Sequence, residues 1–363
     1  MKIAIIGTKG IPANYGGFET FAFHLTKHLA SASFEVTVVN EFDNPETRFD
    51  FPVTILHSDF KKSKNPLLFY KQSLSLVIGT HDIVLVCGVG GSIFYPFKKG
   101  KAIIVTNIDG LEHLRGKYTY FQRKFVFLLQ KITTVFSDHL IADSNAVMLH
   151  WLDRFPKSKH KLSTIAYGAD IPYNFDESIL LTWRLEPESF FLVVARLVPE
   201  NNLIMILNAF AMYKGNKKLV IVGNTSDNSF ARSISQSSDN RILFIGGLFV
   251  KEKLDCLRKN CIAYIHGHSV GGTNPALLEA MICKCVCICH SNIFNDEVTG
   301  NTQLYFDSAT TLLNILNTVE SDAELRAVIS EKAFTKAGNE YTWPLITEKY
   351  RKLFTTLFLK RKL

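Results

Sequence analysis

Residues 1–20 read MKIAIIGTKGIPANYGGFET and residues 263–281 read AYIHGHSVGGTNPALLEAM. Each stretch passes from a short apolar run through a glycine-rich loop into a segment with helical spacing, which is the strand, loop and helix of a parallel α/β unit. The alternation continues along the chain. Strands are expected at residues 2–6, 36–39, 53–56, 83–87, 102–106, 139–142 and 163–166, and again at 190–194, 218–222, 242–245, 263–266 and 285–289. Continuous apolar runs mark strands buried on both faces, hence parallel sheets clothed by helices. The pattern lapses between Pro172 and Pro187, a stretch that carries Asp176, Glu177 and Glu186. An α/β architecture of two Rossmann-like domains follows, 1–172 and 173–342, expected to face each other across a cleft. A helix over 343–363 is expected to pack back across the protein.

Length and composition agree with this reading. At ~150 residues per domain, 363 residues make two domains. An apolar share of 47% with 20% charged residues is that of a chain folded throughout. No window holds the roughly 18 to 20 consecutive apolar residues of a spanning helix. The best candidate, 83–97, is broken by Gly88, Gly90, Gly91 and Pro96. The first residues carry one lysine and no cleavage site, so they read as a strand rather than a signal peptide, and a cytoplasmic location is expected. The seven cysteines include no CxxC pair, which argues against a disulfide framework. Cys283, Cys285, Cys287 and Cys289 alternate, and are expected on one face of a strand as small buried hydrophobes.

Positive charge gathers at one end. Residues 1–168 hold 20 Lys and Arg against 13 Asp and Glu, net +7, and the remainder 21 against 20, net +1. Clusters stand at Lys61, Lys62 and Lys64, at Lys98, Lys99 and Lys101, and at Arg115, Lys117, Arg123 and Lys124. Such a half suits phosphate-bearing ligands or the anionic inner surface of a membrane. With no helix-turn-helix, RNP or zinc-finger pattern beside it, nucleic acid is not an expected partner.

The chemistry is expected in the two glycine loops. Gly16 and Gly17, just before the first helix, would let backbone approach a diphosphate at a helix N-terminus. The loop fits neither GxGxxG nor GxxxxGK[ST], so neither NAD nor a P-loop nucleotide is expected. In the second loop Asn274 can cap a helix that Pro275 opens. Glu279, in the first turns of that helix, suits ribose hydroxyls. Arg196, just past the run 190–194, can grip a diphosphate through two bonds. Together these point to a nucleotide diphosphate. His268 is a candidate donor to sugar or phosphate oxygens. His24 and His28 stand four apart but lack a third metal ligand. Neither metal nor cofactor is expected.

The motifs GTKGIPANYGGFET (7–20), NIDGLEHLRGKY (107–118), IADSN (141–145), TIAYGAD (164–170), VARLVPENN (194–202) and HGHSVGGTNPALLEAM (266–281) occur in a specific order and spacing. In them the chain resembles retaining glycosyltransferase family four, whose members have the two-domain GT-B fold. Over most of its length it is similar to a bacterial rhamnosyltransferase-like subgroup of polysaccharide biosynthesis. The resemblance implies that Gly16 and Gly17 touch the donor diphosphate from one domain while Arg196 holds it from the other. It also implies that the loop Gly271, Gly272, Thr273 and Asn274 meets the diphosphate or sugar, that Glu279 binds ribose, and that Asp109 faces the acceptor or the transferred sugar. Two departures stand out. Gly271 occupies the place of a glutamate eight residues before Glu279, and Asn201 that of a lysine five after Arg196.

The activity implied is retaining, metal-independent transfer of a sugar, rhamnose from dTDP-rhamnose, to a lipid-linked saccharide at the inner face of the membrane. No Asp-x-Asp occurs in the chain, and an arginine with helix termini would supply the positive potential. A nucleotide-sugar epimerase and a non-catalytic nucleotide-sugar-binding protein are the alternatives.

Overall fold

In the computed structural model, which describes residues 1–12, 16–32, 34–41, 48–97, 100–108, 119–172, 175–236 and 239–362, the opening apolar run is strand β1 (Lys2–Ile6). It lies inside a parallel sheet with β2 (Glu35–Asn40), β3 (Thr54–His57), β4 (Ile83–Cys87), β5 (Ile103–Asn107), β6 (His139–Ala142) and β7 (Leu162–Thr164), in the order β3-β2-β1-β4-β5-β6-β7. Residues 3–6 and 83–87 are buried on both faces, which is why they read as unbroken apolar runs. The connections are α1 (Gly17–Ser31), α2 (Pro66–Val77), a 3-10 segment Val89–Phe97, α3 (Tyr120–Phe136) and α4 (Asn145–Arg154).

A second parallel sheet holds β8 (Phe190–Val194), β9 (Lys218–Val222), β10 (Ile242–Phe244), β11 (Tyr264–His266), β12 (Cys287–His290) and β13 (Leu304–Phe306), ordered β10-β9-β8-β11-β12-β13. Its helices are α5 (Leu203–Met212), α6 (Ser229–Ile234), α7 (Lys251–Asn260), α8 (Pro275–Ile282), α9 (Ile293–Thr299), α10 (Ala309–Ser321) and α11 (Ala323–Glu340). The last helix, α12 (Trp343–Lys362), belongs with the first sheet. The chain divides into one unit of Met1–Gly168 with Trp343–Leu363 and another of Ala169–Thr342.

Within the first unit α12 buries Trp343, Ile346, Tyr350 and Phe354. Phe21 of α1 meets Tyr350 at 5.6 Å between ring centroids, and His24 stacks on Trp343 at 4.9 Å. This stacking makes His24 a packing residue rather than half of a metal pair. Placement of α12 sharpens the charge division. The first unit carries 26 Lys and Arg against 14 Asp and Glu, net +12, and the second 15 against 19, net −4.

The elements differ from the sequence reading in three places. Strand β13 was not expected, because three residues at a sheet edge leave no periodicity to read. The cysteine run does not lie on one strand: Cys283 caps α8, Lys284 turns with φ 62°, and only Cys287 and Cys289 are in β12. All four cysteines are nonetheless buried and free, with burial pushing their thiols up. The stretch expected as a connector holds a 3-10 segment, Glu177–Trp183, and the carbonyl of Asp176 before it accepts from the Cys256 thiol of α7.

In each sheet the strand order reverses once, between β1 and β4 and between β8 and β11. There the connections diverge to opposite sides and leave a crevice at the carboxyl ends of the strands, the usual place for a ligand in such sheets.

Candidate functional site

In the second unit both expected site loops leave that reversal point, and they are tied together. Asn202, with φ 50°, donates from Nδ2 to the Gly267 carbonyl at 2.8 Å. The amide and hydroxyl of Ser269 both donate to the Glu200 carbonyl, at 3.0 and 2.9 Å. Buried Asn201 joins the remaining ends: its Nδ2 donates to the Arg196 carbonyl at 2.7 Å, and its Oδ1 lies 2.9 Å from His268 Nδ1. Because a carbonyl only accepts, the first bond assigns the amide's orientation, and the second then puts a proton on His268 Nδ1. In the tautomer this selects, the lone pair lies on Nε2. That atom faces Gly271, where a Cβ would stand 2.8 Å away and where φ is 150°. The His268 carbonyl accepts from Asn292 and Asn295, each at 3.0 Å. His268 is thus fixed at ring and backbone, and the two departures, Asn201 and Gly271, belong to one arrangement around it.

The second loop ends in a capped helix. Asn274 Oδ1 accepts from the Ala276 amide at 3.0 Å, and Pro275 opens α8. Thr273 is buried, Gly272 half-buried and Arg196 exposed at the mouth of its loop. Glu279 holds an ion pair with Arg258 of α7, a residue that sequence reading passed over. The Arg258 side chain is 1% exposed and also bonds Asp255 at 3.1 Å, whereas the Glu279 side chain is 25% exposed. Burial alone would drive the guanidinium toward neutrality. The Glu279 carboxylate, with Asp255 behind it, reverses that and pushes the group above its ordinary value. Arg258 so anchors one oxygen of Glu279 while the carboxylate keeps an open side. Nothing in the local sequence KEKLDCLRKN marks the arginine, because its partner lies 21 residues on.

The first unit presents Gly16 and Gly17 at the N-terminus of α1. Gly16 has φ 121°, and a Cβ there would strike the Glu19 carboxylate. Glu19 is buried in the first turn and accepts the Lys9 amide at 2.8 Å. A protein carboxylate thus already sits at this helix end, which weakens it as an anion site. Lys62 offsets this: its Nζ donates to the Gly7 carbonyl at 2.5 Å, between the rings of Phe18 and Tyr70. Asp109 and most of the motif around it lie outside the described residues, as do residues 13–15, 98 and 99. Among the described residues no three His, Cys, Asp or Glu side chains are placed to share a metal ion, and no helix is long and apolar enough to cross a membrane.

Comparison with known proteins bears on the fold and on the second unit. Residues 183–336 match the family "Glycosyl transferases group 1", and residues 1–61 match a domain of unknown function, DUF1972. The chain is 21% identical over 330 residues, 85% of this chain and 88% of the relative, to an N-acetylgalactosamine-N,N'-diacetylbacillosaminyl-diphospho-undecaprenol 4-alpha-N-acetylgalactosaminyltransferase of Campylobacter jejuni. Its fold is similar to that of sucrose-phosphate synthase from Thermosynechococcus elongatus, with a TM-score of 0.84 and 14% identity over 99% of both chains. It is also similar to Anabaena HepE in complex with UDP, with a TM-score of 0.78 and 16% identity over 98% of this chain and 100% of that one. The protein has two Rossmann-like parallel-sheet domains, the fold of these GT-B neighbours, and the second contains the residues that match the glycosyl transferases group 1 model.

Proposed function

We propose that this protein is a retaining, metal-independent hexosyltransferase that moves rhamnose from dTDP-rhamnose to a lipid-linked saccharide. It would work as a peripheral protein at the inner face of the membrane, in assembly of a capsule or O-antigen. The observation that carries the reading is the tie between the Arg196 loop and the His268–Asn274 loop at the reversal point of the second sheet, with Glu279 held from behind by Arg258. The nucleotide diphosphate in the similar HepE and the diphospho-undecaprenol acceptor named for the Campylobacter relative support the two substrate classes.

In this reading Glu279 accepts ribose hydroxyls through its open side. Arg196 and the backbone amides before α8 take the negative charge that grows on the diphosphate as the sugar–phosphate bond breaks. The acceptor oxygen bonds to the anomeric carbon on the face the diphosphate leaves, and its proton passes to the departing phosphate oxygen. No carboxylate pair at glycosidase spacing is needed. Glu19 makes the first unit the weaker phosphate holder, so donor affinity rests mainly on the second unit. Asp109 remains the proposed contact to acceptor or sugar.

The test is a thermal-shift panel of nucleotide-sugars, then transfer to a polyprenyl-diphosphate saccharide with the product anomer read by NMR. Arg196→Ala is expected to weaken donor binding at least about tenfold. Excess EDTA is expected to leave the rate unchanged. Full donor affinity in both Arg196→Ala and Glu279→Gln would overturn the site. Conversion of the donor sugar without any acceptor would favour the epimerase instead.

A further inference from the structure

We infer that α3 is the element by which this protein seats itself on an anionic lipid surface. The inference deepens the transferase reading, on which it rests only for the need to reach a lipid-linked substrate.

The helix is held to its unit along one side, where Leu129, Gln130 and Thr133 are buried and the Ser92 hydroxyl donates to the Leu129 carbonyl at 2.9 Å. Away from that side, Phe121, Phe125, Leu128, Ile132, Val135 and Phe136 recur at intervals of three and four and form one stripe. Phe121 is 81% and Val135 61% exposed, and of the six only Ile132 is half-buried. Single exposed apolar residues are ordinary, but a continuous stripe four turns long marks an interaction surface.

The charges beside the stripe choose its occupant. Lys124 and Lys131 run along one edge, Arg123 lies beyond them, and the seventeen residues of α3 include no Asp or Glu. At the C-terminal end Lys161 donates to the carbonyls of Val135 and Ser137, at 3.3 and 2.7 Å, and its own segment, Pro156–Lys161, exposes Lys157, Lys159 and His160. Among the described residues, two acids nearby are engaged within the unit: Asp138 accepts the Ile104 amide at 2.8 Å, and Asp153 acts on Arg154. An aromatic stripe edged by long cationic side chains, in a unit of net +12, suits a bilayer interface, with the rings at the acyl boundary and the amines reaching headgroup phosphates. A second copy of the chain would bring the same cationic edge against this one, with no acidic residue in α3 to offset the charge.

The experiment is co-sedimentation of the full chain with vesicles of two parts phosphatidylcholine to one part phosphatidylglycerol, with phosphatidylcholine alone as reference. Wild-type protein is expected to partition at least about tenfold more strongly to the anionic vesicles, and less as salt rises. Phe121→Asp, Leu128→Asp and the pair Lys124→Glu with Lys131→Glu are each expected to lower that partitioning about tenfold or more. The same variants are expected to keep the wild-type thermal shift with nucleotide-sugar, which shows that they fold. Equal binding of wild type and variants, or no preference for anionic lipid, would overturn the inference. So would a dimer in sedimentation velocity that Leu128→Asp dissolves, since a second copy would then cover the stripe. A donor shift without vesicle binding sinks this inference and leaves the transferase reading standing, whereas vesicle binding without any donor shift does the reverse.

Discussion

At the scale of single residues, the site depends on two buried polar pairs whose partners are far apart in sequence. Arg258 is enclosed completely, so its charge is tolerable only while Glu279 and Asp255 face it. Arg258→Met, which leaves Glu279 without its cation and Asp255 with Lys251 alone, is expected to lower stability by about 3 kcal/mol in urea unfolding. A loss below about 1 kcal/mol would mean that the pair is not built as described. Asn201 is the second case. It spends its amide on the Arg196 carbonyl and its oxygen on His268, and a lysine in that buried place has no acceptor to offer the imidazole. Asn201→Lys is therefore expected to lower the melting temperature and to weaken donor binding, whereas Asn201→Asp, which keeps the acceptor for His268, is expected to weaken it less. If Asn201→Lys instead tightens donor binding, the coupling of Asn201, His268 and Gly271 is wrong. From sequence these positions were legible only as departures from a pattern. That they meet one histidine is a distance, which spacing along the chain does not contain.

At the scale of elements, local chemistry explains most boundaries. Thr119 and Gln122 form a capping box that starts α3, Asn274 and Pro275 start α8, and Ser144 caps α4 by accepting the Val147 amide at 3.2 Å. The destination of α12 is a different matter, because its apolar spacing suited a membrane surface as well as a protein core. Its burial of Trp343, Ile346, Tyr350 and Phe354 against the first unit decides this. Phe354→Ala is expected to destabilise by about 3 to 5 kcal/mol in chemical denaturation. A loss under 1 kcal/mol would show that the helix does not contribute to that core. For α3 the contrast runs the other way. No face was assigned to it from sequence, and which side the fold covers could be read only once the 3-10 segment Val89–Phe97 lay along it.

At the scale of the whole molecule, pH acts through imidazoles held neutral in both units. In the first unit burial, helped by Lys161 and Lys360, brings His139 down to about 4. In the second, burial first and then His268 and His290 hold His266 well below its ordinary value. Unfolded, both would titrate near about 6.5. Below that pH the unfolded chain binds protons that the folded one refuses, so stability is full above about pH 6.5 and is lost as pH falls toward 4. The urea midpoint at pH 5 is expected to lie below that at pH 7.5, and an equal or higher midpoint would contradict the burial of these rings. The charge division belongs to this scale too: a half that reads as net +7 becomes a unit of +12 because α12 returns to it. By itself the sequence determined the two parallel sheets, the loops that carry Arg196, His268 and Glu279, and the basic first half. Those follow from neighbours along the chain, where backbone periodicity and loop chemistry act. Only the tertiary structure decided that Arg258 stands behind Glu279, that Asn201 turns His268, that Glu19 occupies the first glycine loop, and which face of α3 stays uncovered. Each of these is settled by atoms that folding brings within hydrogen-bond or van der Waals reach, in pairings that no spacing along the chain encodes.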